Sequence, residues 1–189
     1  MANEGVFDHW AVLGQRIVEI NRLRVQRTWL WGERSQQIAL ILEFASTGQA
    51  LGMHLKPGMR YATELVFYPG NYPLRALIKT PLSEPTPLKN TPGYPSINDF
   101  LDNYAQLLAH QFWMGEYLIP LTHSIPYYDN EKWYLGDQRG ETIPISPDFN
   151  KGWQLLALSG GHPISVVGEW DGRQIFPLGA MVDDRFIPF

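Results

Sequence analysis

The sequence predicts an α+β fold rich in antiparallel strands, and three observations carry that prediction. Aromatic residues make up 13% of the chain, and flat rings suit a pleated surface. Fifteen Pro and seventeen Gly provide turns at short intervals. From Arg24 to Ala45 the chain alternates, breaks at Gly32-Glu33-Arg34-Ser35-Gln36, and resumes as an apolar run from Ile38 to Phe44 whose one charge is Glu43. That is the pattern of a β-hairpin whose second strand is buried on both faces. The hairpins are expected to form a sheet or partial barrel, joined by one prominent helix at about 96–113 and a helix at the N-terminus.

In chain order, Phe7, Trp10, Ala11, Leu13, Ile17, Val18 and Ile20 roughly follow helical spacing with Asp8 as a cap, which predicts a helix over 6–21 despite Gly14. Leu23, Val25, Arg27, Trp29 and Trp31 share one face of the following strand. Tyr61 to Tyr68 reads as a strand, and Pro69-Gly70-Asn71 turns the chain into a hairpin partner at Leu74 to Ile78. Five prolines in 81–95 exclude a helix or central strand there and predict an extended connector within a single domain spanning 1–189. Ser96 with Asp99 three residues on resembles a capping box, and Ile97, Phe100, Leu101, Tyr104, Leu107, Leu108 and Phe112 recur at helical intervals. Gly115 to Pro126 reads as irregular. Residues 133–145 and 167–178 each read as strand, turn, strand, with Asp171-Gly172 a strong tight-turn pair. Two further buried strands are expected at Trp153 to Leu158 and Ile164 to Val167.

Composition narrows the function. Nineteen acidic residues against fifteen basic ones, a formal net charge of -4, argue against nucleic acid as the main ligand, because phosphate binding needs concentrated positive charge. The absence of Cys excludes disulfides, thiolate zinc sites, iron-sulfur clusters and cysteine nucleophiles. The N-terminal residues lack a basic segment followed by an apolar one, and no apolar run nears the roughly 20 residues of a membrane span. A cytoplasmic protein that does not span the membrane is the expectation.

No spacing in the chain assembles a catalytic or metal centre. His9, His54, His110, His123 and His162 include no pair at ligand spacing. Leu158-Ser159-Gly160-Gly161-His162 holds the parts of an acyl-transfer site, yet it is not a nucleophile elbow and a turn explains each residue. Glu169 and Asp171 are the one carboxylate pair on a shared strand face, and Asp171 is accounted for by its turn. No catalytic residue, metal or cofactor is assigned. Strand tryptophans such as Trp29, Trp31, Trp113, Trp133, Trp153 and Trp170 are expected in the core.

The strings Leu23-Arg24-Val25-Gln26-Arg27-Thr28-Trp29-Leu30, Phe67-Tyr68-Pro69-Gly70 with Pro73-Leu74-Arg75-Ala76-Leu77, and Leu155 to Gly161 with Gly168-Glu169-Trp170-Asp171-Gly172 resemble the accessory region outside the zinc finger in bacterial SWIM zinc-finger proteins. The similarity spans most of residues 10–180. The resemblance implies no activity, and the finger's own C-x-C…C-x-H ligands cannot exist in a chain without cysteine.

Three functional expectations follow. The first is a non-catalytic interaction or scaffold module that docks a protein partner through sheet edges or exposed aromatics. The second is a small-molecule-binding protein or enzyme with a cleft between helix and sheet where Tyr68, Arg75, Trp113, Ser159 and His162 converge. The third is a nucleic-acid-associated accessory protein, against which the acidic composition speaks. Neither the partner nor the oligomeric state is readable from the sequence.

Overall fold

A computed structural model describes residues 4–46, 48–49, 51–52, 54–70, 73–110 and 115–189. Among the described residues strands far outweigh helices, so the α+β expectation is corrected to a mostly β protein with two sheets and two short helices. The chain divides into two compact units, Met1–Leu88 and Lys89–Phe189. That division falls inside the proline-rich stretch 81–95.

The first unit holds β1 (Val6–Ile20), β2 (Leu23–Gly32), β3 (Ile38–Ser46), β4 (Met59–Phe67), β5 (Ala76–Ile78) and β6 (Thr86–Pro87). The segment expected as an N-terminal helix is the 15-residue strand β1. Its register with β2 slips between Val12 and Gly14, and the slip breaks a strict two-residue alternation into one that imitates helical spacing. Asp8 and Trp10 through Gly14 are buried on both faces, which removes the polar alternation that marks a half-exposed strand. A two-residue turn, Asn21 (φ 51) and Arg22 (φ 66), joins β1 to β2 in the left-handed conformation that matches strand twist.

Strand order is β3-β2-β1-β4-β5, with β6 on β4. Three hairpin-linked strands with the fourth returned beside the first make a Greek key. The curl closes where Leu40 forms a parallel bridge to Arg75 and its amide donates to the Leu74 carbonyl at 2.8 Å. Trp10, Val12, Leu30, Ala39, Ile41, Leu55, Tyr61, Leu65 and Phe67 form its core. The result is a five-stranded, partly open Greek-key barrel, the OB-type architecture.

The second unit repeats the plan. It holds α1 (Ile97–His110), β7 (Tyr117–Asp129), β8 (Lys132–Gly136), β9 (Thr142–Pro144), α2 (Gly152–Ser159), β10 (Ile164–Trp170), β11 (Ile175–Val182) and β12 (Arg185–Pro188). Strand order is β12-β11-β10-β7-β8-β9, so β10 returns beside β7 as β4 does beside β1. A parallel bridge from Ile145 to Ile175 closes it, with the Ser146 amide donating to the Ile175 carbonyl at 2.8 Å.

The expected prominent helix at about 96–113 is α1, whose described span ends at His110, and it is one of two short helices in a β protein. Ser96 Oγ accepts the Asp99 amide at 3.1 Å, the bond of an N-terminal cap, and donates to the Asp99 carboxylate at 2.5 Å. Phe100, fully buried, meets Tyr94, Tyr104 and Trp170 with ring centroids 5.5, 5.8 and 5.9 Å away. The segment expected as irregular, 115–126, lies largely in β7. β7 pairs with β10 up to Ser124 and with β8 from Ile125, and on the other edge of its first half Pro120 takes part only through its carbonyl, which accepts the Tyr94 amide at 2.9 Å, so no missing proline N–H is called on there. Trp153 to Leu158 is the helix α2 instead of a strand. It stops at Gly160, whose left-handed conformation and amide bond to the Leu156 carbonyl are an αL cap.

Candidate functional site

Of the five residues expected to converge, two fall in the first unit and two in the second. Tyr68 and Arg75 are neighbours in the first unit: the guanidinium lies 5.2 Å over the Tyr68 ring, and the Tyr68 amide donates to the Arg75 carbonyl at 2.9 Å. Tyr68, 46% exposed, borders a cavity of about 370 Å³ with Val6, Gln37, Phe67 and Pro73. Trp113 lies outside the described residues.

Ser159 and His162 sit in the second unit, on the loop from α2 to β10. The Ser159 hydroxyl donates to the His162 carbonyl at 2.8 Å and accepts the Gly161 amide at 3.1 Å, so its proton is committed to a turn and not to the imidazole. A serine activated by a base needs the opposite arrangement. Both residues nevertheless line a cavity of about 450 Å³ with His123, Ile164, Ser165, Met181 and Asp183. His123 enters it from a break in the β7–β10 register with φ 58, a conformation uncommon for a residue with a side chain. Such bulges re-aim side chains. Among the described residues, no group of three His, Asp or Glu could hold a metal ion.

The two buried carboxylates with shifted acidity are structural. Burial pushes Asp8 up, but amides of Ser35, Arg34 and His9 donate to it and hold it below the ordinary carboxylate value. This pins the β2–β3 turn to β1. Burial likewise opposes ionisation of Asp137, and the amides of Ile97, Glu141 and Arg139, with the Arg139 charge, bring it below the ordinary value. Asp137 thereby ties the β8–β9 turn to the first turn of α1.

The second unit carries an aromatic ridge on its surface, two of whose members, Trp133 and Trp153, were expected in the core. Tyr128, Trp133 and Trp153 touch in a triangle, with centroids 4.9 Å apart for Tyr128–Trp133, 5.4 Å for Tyr128–Trp153 and 4.9 Å for Trp133–Trp153. The two indoles are perpendicular, at 87°. Tyr128 and Trp133 are directly opposed across β7 and β8, and a Cβ on Gly152 would lie 2.3 Å from the Trp133 ring, so only glycine admits that indole against the start of α2. Trp153 is 66% exposed and Tyr128 45%. The signal in the sequence was the pairing of Tyr128 and Trp133 across Asn130-Glu131, both at positive φ; it was hidden because β7 was not read as a strand.

No family model, curated protein or solved structure matches this chain. The likeness to the SWIM accessory region therefore rests on the quoted strings alone. No described helix is long and apolar enough to cross a membrane. A Greek-key barrel hosts many unrelated activities, so the architecture assigns none.

Proposed function

We propose that this chain is a non-catalytic, cytoplasmic interaction module that docks a protein partner on the Tyr128–Trp133–Trp153 ridge. The observation that carries this reading is Trp153, two-thirds exposed yet in ring contact with two other aromatics. Single exposed apolar side chains need no explanation, whereas clustered ones mark interaction surfaces, and Trp and Tyr dominate the energetics of such surfaces. The Ser159 hydroxyl and the Asp137 carboxylate of the second unit are already engaged in holding turns. A photo-crosslinking phenylalanine analogue at position 153 tests the proposal in cells that make the protein. One discrete adduct is expected, suppressed by excess unmodified chain and not by a Trp153→Ala chain. Adducts no different from those of the same probe at Leu77, which is 51% exposed, would refute it.

A second reading is a small-molecule site in the 450 Å³ cavity, favoured by the left-handed bulge that turns His123 toward His162 and Asp183. That volume lies within the usual range for ligand pockets. Native mass spectrometry of gently purified protein is expected to show a bound small molecule that a His123→Ala, His162→Ala chain lacks. Wild type appearing only at its own adduct-free sequence mass, as the variant does at its own, would remove this reading.

A further inference from the structure

The proposed docking ridge stands on a strongly acidic unit, and the pairing of rings with that charge points to one partner chemistry. Residues 89–189 carry six Lys and Arg against twelve Asp and Glu, six minus twelve giving a formal −6, whereas the whole chain is only −4. The first unit is accordingly slightly basic, and the negative field belongs to the unit that bears the ridge. Beside the rings in sequence are the exposed acids Asp129, Glu131 and Asp148 and the exposed bases Lys132 and Lys151. Lys132 is opposed to Asp129 across the hairpin, and Asp129 also accepts from Asn130 at 3.0 Å.

We infer that the ridge binds a cationic peptide segment, with an arginine side chain of the partner laid against the exposed Trp153 and Tyr128 rings. The face of an aromatic ring is electron-rich and attracts a cation, Trp most strongly. Guanidinium adds planar stacking that ammonium lacks. The net negative charge of the unit raises the local concentration of such a segment and repels acidic ones. The inference rests on the docking reading above and names the partner that reading leaves open.

The experiment uses the full chain with its tryptophan indoles labelled by nitrogen-15, titrated with a glycine-flanked hexa-arginine peptide and with its neutral citrulline counterpart. The Trp153 indole resonance, assigned through Trp153→Phe, is expected to shift saturably with the arginine peptide and not with citrulline. Affinity is expected to fall about fivefold or more between roughly 50 mM and roughly 500 mM salt, as screening removes the field. Followed on the Trp133 indole of the same ridge, which the variant retains, Trp153→Ala is expected to weaken binding about tenfold, the effect of losing a central aromatic contact. Because Trp153 is mostly exposed, its melting temperature should stay at the wild-type value, which separates lost binding from lost folding. Equal binding of the citrulline peptide, or an arginine response unchanged by Tyr128→Ala with Trp153→Ala, overturns the inference. A specific crosslink from position 153 to a partner without a basic segment overturns it too, while leaving the docking surface in place.

Discussion

Phe100→Ala is expected to lower stability by about 3–5 kcal/mol, the range for emptying a fully buried aromatic site. Phe100 is the hub at which Tyr94, Tyr104, Tyr117 and Trp170 meet, with every centroid within 6.4 Å. Its loss leaves four large rings facing a void that rigid strands cannot collapse to fill. Phe100→Leu keeps most of the volume and should cost about 1 kcal/mol. Denaturant midpoints at constant slope measure both. A loss below about 1 kcal/mol for the alanine variant would mean that α1 is not seated on the second barrel.

Asp8→Ala should also be damaging, at about 1–3 kcal/mol, because it leaves the part-buried amides of His9, Arg34 and Ser35 without their acceptor. Asp8 is 1% exposed and accepts from Arg34 at 3.1 Å, Ser35 at 2.8 Å and its neighbour His9 at 2.6 Å. Since the carboxyl titrates lower in the folded state than in the unfolded chain, its contribution is complete above about pH 4 and drains away as pH falls through the folded value. Wild-type stability should therefore decline in acid more steeply than that of Asp8→Asn, which has no charge to neutralise. Parallel pH profiles for the two proteins would show that the carboxylate form does not matter.

The parts of the fold that were legible are those whose strands have one clean period. Leu23 to Phe44 reads as a hairpin and is one, with Val25 opposite Phe44 and Trp29 opposite Leu40. β1 was opaque because a bulge at Gly14 and burial on both faces erase its alternation. β7 was opaque because Pro120 and Pro126 argue against a central strand, and sequence cannot say that this strand changes partners halfway. α2 was opaque because eight apolar-rich residues serve a helix or a strand equally until Gly160 is recognised as a cap. The site suffered the same way. Ser159 and His162 were rightly seen as neighbours, but which atom of His162 receives the hydroxyl is a matter of backbone geometry. Trp153, assigned inward by residue type, faces outward because its helix turns it there.

Among the described residues, each barrel is fastened along its seam by one isolated parallel bridge, at Leu40 and Arg75 in one unit and at Ile145 and Ile175 in the other. With so few hydrogen bonds across it, that line is where each barrel is expected to open first, ahead of its long hairpins. Solvent, proteases and any guest seeking the interior would all find the same door.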